Sequence, residues 1–354
     1  MEVPYNGPGK PTHHRADGTN YLMRTGDEYH NIWPVYDWQK ISGTTIVQKP
    51  ALHPPEEIQK DGLTDFVGAV TDGLVGAVAF DFKSPHDFVE AKKAWFFFDE
   101  AYVCLGADIH SNQRLPVFTT INQVLLRSDV TISQNGKIET LLEGDRVLEN
   151  VKWVHQDNIG YIFPKPETIF LSNQIQTGRW SDITDEKNVS DEMVSEKVFT
   201  MWFDHGKRPK NASYHYIVVP NVTETEMSKM SNTNIQILVN TPDIQGVKHS
   251  KRNISQLAFY KAGKVEISND TAVSMDSQGM AMIKMSGNKI ETLSVSDPSR
   301  KLNRMTMTVS GIYHSKSDSF FTIPNKKEHN TLIVIDLPQG VYAGKSVTID
   351  LSKH

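Results

Sequence analysis

The 354-residue sequence contains a single cysteine, Cys104, which excludes an internal disulfide and a cysteine-built zinc site. Set among apolar neighbours in AYVCLGADI, it reads as a small buried hydrophobe, and a lone cysteine suits the cytosol, a periplasm or the outside of a cell alike. No window has the apolar length of a membrane span. The N-terminal MEVPYNGPGKPTHHRADG has no apolar core of signal-peptide length. Basic residues are not in excess either. The 37 Lys and Arg against 42 Asp and Glu leave a net charge of −5, so nucleic acid is not an expected partner. An acidic substrate stays compatible, because a local basic groove can sit on a mildly acidic protein. There is no P-loop, dinucleotide fingerprint, nucleophile elbow or zinc motif.

What is present is β structure. Short runs rich in Val, Ile, Thr, Tyr and Phe recur between Gly, Asn, Asp and Pro, as in PVFTTINQVLL (116–126), KVFTMWFDHG (197–206), YHYIVVP (214–220) and TLIVIDLP (331–338). Asn135-Gly136 in SQNGKI predicts a two-residue hairpin, since both turn positions need positive φ. Helical signals are confined to the start of HDFVEAKKAWFFF (86–98) and to TETEMSKM (223–230). The composition, 38% hydrophobic and 22% charged, is that of a folded globular chain. The class is all-β, with large antiparallel sheets packed face to face. A boundary is expected in the polar GVKHSKRNIS (246–255), which divides a first domain, 1–250, from a smaller C-terminal sandwich, 251–354. Every tryptophan (33, 38, 95, 153, 180 and 202) precedes it. Five Asn-X-Ser/Thr sequons, at Asn188, Asn211, Asn221, Asn253 and Asn269, read as turn and edge residues outside a eukaryotic secretory pathway.

The most particular stretch is RTGDEYHNIWPVYDWQKISGTT (24–45), where Glu28, Asn31 and Asp37 alternate with Tyr29, Trp33, Tyr36 and Trp38. Such parts suit a sugar, whose C–H face lies on an aromatic ring while carboxylates and amides reach its hydroxyls. Packing of the aromatics in a sheet core accounts for the same composition. This stretch resembles the start of the β region in the polysaccharide lyases of family 8, which include chondroitin AC, hyaluronate and xanthan lyases. HRADGTNYLM (14–23), FVGAVTDGLVGAVAFDF (66–82), KKAWFFFDEAYVCLGADI (92–109), VHQDNIGYIFP (154–164), TGRW (177–180), FDHGKRPKNASYHYIVVP (203–220), ILVNTPDIQGVKH and LSVSDPSRK follow in the family's order. The resemblance covers essentially the whole chain, and the chondroitin AC lyases are its nearest branch.

The resemblance implies a central β super-sandwich followed by a small C-terminal β-sandwich, normally preceded by an N-terminal α/α toroid. It implies β-elimination on a uronate-containing, chondroitin-like acidic polysaccharide, and a secreted or periplasmic bacterial setting. In the family the carboxylate-facing Asn, the His, the Tyr and the key Arg residues come from the toroid. The signature here begins at Arg24, so the toroid is expected as a partner domain or subunit, and catalysis by this chain alone is not expected. Carried over residue by residue, Glu28 matches a glutamate that orients the Arg/His/Tyr group of the toroid, and Asn31 an asparagine of the same cleft. Tyr29, Trp33 and Trp38 are the candidate sugar-contacting aromatics. His30 fills a slot between the matched positions, His13 and His14 are expected to reach solvent, and His155 and His205 match family blocks that β-core bonding explains equally well. No cofactor is expected to be required. A structural Ca2+, known among relatives, would draw on Asp72 and Asp81, although Val70 stands where a further acidic ligand would precede Asp72. Two other readings stay open: a non-catalytic carbohydrate-binding module derived from such a lyase, and a purely structural or interaction role.

Overall fold

The computed structural model describes residues 12–53, 61–184, 187–230 and 234–352. They form two compact units. One comprises the segments up to Leu63, Phe82–Ala91 and Asp108–Ser231; the other comprises Thr64–Asp81, Lys92–Ala107 and Asn232 onward.

The first unit is built on antiparallel strands whose β-branched and aromatic residues suit a half-buried pleated surface. Thr45–Val47, Pro116–Leu125, Val194–Lys207, Ile159–Ser172 and Ala212–Pro220 are hydrogen-bonded in that spatial order. Val130–Gln134, Lys137–Thr140 and Asp145–Gln156 extend the sheet from the 159–172 strand. The Asn135-Gly136 turn forms as expected, with φ of 51° and 77°, and joins Val130–Gln134 to Lys137–Thr140. The helix expected at 223–230 is Glu224–Lys229, closed by a capping box in which Thr223 and Glu226 each accept the other's backbone N–H. The segment 86–98 departs from expectation. It is the strand Val89–Phe97, because Val, Trp and Phe gain more from burial in a sheet than Glu, Ala and Lys lose in helix propensity. Four of the five sequon asparagines, Asn188, Asn211, Asn221 and Asn253, have positive φ, the turn role expected for them.

The second unit contains a β-sandwich. Its six-stranded sheet runs Ile235–Asn240, Ile244–His249, Ile254–Phe259, Gly279–Ser286, Lys289–Ser296, Val347–Asp350. Its five-stranded sheet runs Gly263–Ser268, Thr271–Met275, Arg304–Ser310, Asn330–Asp336, Phe320–Asn325. Leu257, Phe259, Ile283 and Leu293 from the first share a core with Val273, Met305, Met307 and Ile333 from the second. The boundary falls earlier than the polar 246–255 stretch suggested. The 244–249 strand pairs with both 235–240 and 254–259, so residues 250–253 are only a hairpin turn inside this sheet.

One close approach seats the opening stretch on the first unit. The 3-10 turn Trp33–Val35 lies against Gly178, where an added Cβ would run into the Pro34 carbonyl oxygen. Neither partner is a flexible side chain, so the backbone itself must yield. Gly178→Ala is expected to destabilise the chain by about 2 kcal/mol, the scale of overpacking. The urea midpoint reads this directly, and an unshifted midpoint would mean that the turn does not depend on this contact.

Candidate functional site

Residues 24–31 form a pair of tight turns organised around one carboxylate. Glu28 Oε1 accepts the backbone N–H of Arg24 at 2.7 Å and of Thr25 at 2.8 Å, and Oε2 accepts that of Gly26 at 2.9 Å. The residue is 3% exposed, and burial alone would raise its pKa. The amides of Thr25, Glu28 itself, Arg24 and Gly26 outweigh that and hold the carboxyl at about 2. The carboxylate is thus turned onto its own turn.

The turn is tied to the sheet by Arg24, whose Nε donates to Asn221 Oδ1 at 2.9 Å and whose guanidinium donates to the Asp157 carbonyl at 2.7 Å. At its far end Asn31 is exposed and left-handed, with φ of 56°, a conformation asparagine tolerates better than most residues. Its Nδ2 lies 3.0 Å from Nε2 of the exposed His30. The result is a rigid, charge-stabilised turn that presents an amide and an imidazole at the surface.

Behind it lies a buried polar network that the sequence reading did not single out. Tyr29 Oη donates to Asn122 Oδ1 at 3.0 Å, Ser42 Oγ donates to the same oxygen at 2.9 Å, and Asn122 Nδ2 donates to Tyr161 Oη at 2.7 Å. Burial pushes the hydroxyls of Tyr29 and Tyr161 far above the ordinary tyrosine value, so both stay protonated hydrogen-bonding groups. Next to them the Gln123 amide accepts the N–H of Asp37 and donates to the carbonyls of Asp37 and Lys40. The signal that could have exposed this network is the consecutive Asn122-Gln123 pair inside the strand Pro116–Leu125.

The expected aromatic platform divides. Trp38 is only 9% exposed and packs edge-on against Trp33 and Tyr36 in a core with Ile32, Val35 and Ile41. Most of its ring serves that core, and the remainder borders a small cleft with Trp33, Trp180 and Ile183. Trp33 is half-buried beneath the Arg15 guanidinium, 5.5 Å from its ring. Tyr29 is half-buried and met edge-on by Tyr21.

His13 and His14, expected in solvent, are buried. His14 Nδ1 pairs with Asp17 at 2.7 Å, the His13 ring sits 4.2 Å from that of His14 and 4.6 Å from that of His86, and Asp87 forms an ion pair with Lys49. Burial first, then the neighbouring His14, His86 and Lys49, drives His13 down to about 2, so it is neutral. His155 and His205 are bonded within the sheet, to the Val222 carbonyl and to Thr119 Oγ1.

Asp72 and Asp81 are not brought together. They flank one hairpin in which Thr71 faces Gly76 and Val67 faces Phe80, a separation of roughly 17 Å at ~3.4 Å per residue. Asp72 caps the turn amides of Leu74 and Val75, and Asp81 pairs with Lys92 at 2.5 Å. One calcium ion cannot take both as ligands at that separation.

This architecture has known counterparts. Over 340 residues the chain is 34% identical to Chondroitinase-AC of Pedobacter heparinus, covering 94% of this chain and 45% of that protein. It is 26% identical over 318 residues to a hyaluronate lyase of Thermasporomyces composti, covering 83% and 38%. A solved chondroitinase AC lyase superposes with a TM-score of 0.84 at 32% identity, covering 96% of this chain and 48% of that one. The chain thus spans less than half the length of these relatives. The model of the polysaccharide lyase family 8 super-sandwich domain matches residues 1–231, and that of the family's C-terminal beta-sandwich domain matches residues 236–306. With both models matched in order and along most of its length, the chain belongs to polysaccharide lyase family 8.

Proposed function

We propose that this chain is the β part of a lyase that cleaves a uronate-containing, chondroitin-like polysaccharide by β-elimination, with an α/α toroid supplied elsewhere. In that reaction a base takes the C5 proton, the electron pair forms the C4–C5 double bond, and the C4–O bond breaks. An acid then protonates the leaving oxygen. The C5 proton is acidic enough only when the adjacent carboxylate is neutralised, which calls for a hydrogen-bond donor aimed at it.

The observation that carries the reading is the turn at 24–31. The Glu28 carboxylate gathers the amides of 24–26, and at the far end of the turn the exposed Asn31 amide lies 3.0 Å from the His30 ring. Asn31 is the exposed amide that this turn offers to the polymer at the cleft, while the carboxylate-facing donor is assigned to the toroid. Glu28 is a positioning residue, already committed to three amides, with acceptor capacity left for a cationic group of the toroid. Base and acid are assigned to the toroid. No step is assigned to a metal or cofactor. A polymeric acidic substrate fits a secreted or periplasmic setting.

The test follows the ultraviolet absorbance of unsaturated uronate from chondroitin sulfate, hyaluronan and xanthan. The chain is measured alone and mixed with the toroid domain of a family 8 chondroitin lyase. The mixture is expected to form product, fastest from chondroitin sulfate, and the chain alone none. Asn31→Ala in the mixture is expected to raise KM about fivefold, the loss of one hydrogen bond to the polymer worth ~1 kcal/mol, with kcat little changed. Product from the chain alone would remove the need for a toroid. Binding without product in every mixture would identify a carbohydrate-binding module instead.

A further inference from the structure

A cluster of ionisable side chains that the Glu28 turn does not use lies where the 3-10 turn His13–Ala16 packs against the 84–88 bend of the first unit. The His13 ring centre is 4.2 Å from that of His14 and 4.6 Å from that of His86, and the His14 and His86 rings are 6.3 Å apart. His13 is 6% exposed and His14 1%. Three imidazoles thus share one enclosed space. Among the described residues no three His, Cys, Asp or Glu groups are placed to hold one metal ion, so the chemistry open to this cluster is that of the proton.

The charges around the rings are already matched. On the same turn Asp17 pairs with His14 Nδ1 at 2.7 Å. On the 84–88 bend Asp87 forms an ion pair with Lys49, and its second oxygen lies 3.5 Å from His14 Nε2. Lys83 and Glu90, paired with each other, border His86 on its open side. His13 Nδ1 is buried without a hydrogen-bond partner among the described residues. A proton added there meets no acceptor, and its charge sits beside Lys49 and two further imidazoles. Burial first, then His14, His86 and Lys49, keeps His13 at about 2, and burial lowers His86 as well.

The cluster anchors the segment that leads to Glu28. Along it, Asn20 donates its backbone N–H to the Ser42 carbonyl at 3.0 Å and its side-chain amide to Tyr216 Oη at 3.4 Å. Arg15 covers the Trp33 ring, and Tyr21 meets Tyr29 edge-on at 4.8 Å. We infer that the His13–His14–His86 cluster is an acid-sensitive latch, which seats residues 12–23 on the first unit near neutral pH and releases them in mild acid. Linkage sets the direction. In the open segment His13 takes its proton near 6.5, whereas the closed cluster refuses it. The latch is therefore at full strength above pH ~6.5, and each pH unit below that favours the open form about tenfold for each ring kept neutral. Release takes Arg15 off Trp33 and Tyr21 off Tyr29, so the 24–31 turn loses its flank. The device stands whether or not that turn serves elimination.

Hydrogen exchange of the full chain, read by mass spectrometry on peptides covering 12–23 and corrected for the intrinsic exchange rate, gives the opening constant. Between pH 7.5 and 5.5 it is expected to rise about tenfold or more in wild type, while the strands 159–172 and 212–220 stay protected. The profile itself needs no variant: it is expected to be flat above pH 7 and to climb about tenfold per pH unit or more steeply below pH 6. His13→Leu combined with His86→Leu, which puts apolar side chains where the rings were, is expected to hold the rise below about threefold. An opening constant that does not change between pH 7.5 and 5.5, an undiminished rise in the double variant, or loss of protection in the strands together with the segment would each overturn the inference.

Discussion

Glu28→Ala is expected to lower the stability of the chain by about 2 kcal/mol at neutral pH and to abolish elimination in the toroid-supplemented assay. The substitution strips three amides, Arg24, Thr25 and Gly26, of the carboxylate that accepts them. Hydrogen bonds to a charged group contribute ~1.5–3 kcal/mol. The pH dependence gives an independent reading. The folded carboxyl sits at about 2 against an ordinary value of 4.5, so its contribution is complete above pH ~4.5 and is lost as pH falls toward 2. The bare shift corresponds to ~3 kcal/mol. Residues 25–27 are exposed around the buried carboxylate, and solvent screening there brings the figure nearer 2. Urea denaturation of wild type and variant should therefore show a gap that is full at pH 7 and narrowed by pH 3. A gap of equal size at both pH values would mean that the turn does not hold the charge.

The strands were legible because their signal is local. Alternating β-branched and aromatic runs, the Asn135-Gly136 turn and the short helix within 223–230 each act over a few residues, and each forms as read. What failed was decided at long range. Glu, Ala and Lys in 86–98 favour helix locally, but sheet partners impose a strand. The polar 246–255 stretch looks like a linker until the pairing of 244–249 on both edges makes it a hairpin turn. At the site, sequence marked the turn at Glu28 and Asn31 but not the three amides on which the Glu28 carboxylate closes, since only the folded turn brings them together. His13 and His14 looked solvated in a polar lead-in. Their burial depends on Asp17, one turn later, and on residues 86 and 87, far along the chain.

Asn122→Leu is expected to cost about 3 kcal/mol, more than its modest change in volume suggests. Asn122 is 4% exposed and spends its amide on three partners: Tyr29 and Ser42 donate to Oδ1, and Nδ2 donates to Tyr161. Leucine fills the space but meets none of them. Ser42 keeps its bonds with Gln123, whereas the Tyr29 and Tyr161 hydroxyls lose Asn122. Tyr161 is 2% exposed, and an unmet buried hydroxyl costs ~1–3 kcal/mol. The damage should therefore lie in the orphaned partner rather than in lost packing. Adding Tyr161→Phe to Asn122→Leu removes that orphan and is expected to recover about 1 kcal/mol, even though Tyr161→Phe in the wild-type background destabilises. A double-variant cycle by urea denaturation reads the coupling. Additive losses would show that Asn122 and Tyr161 act independently, and that the network does not hold Tyr29, and with it the neighbouring Glu28 turn, against the sheet.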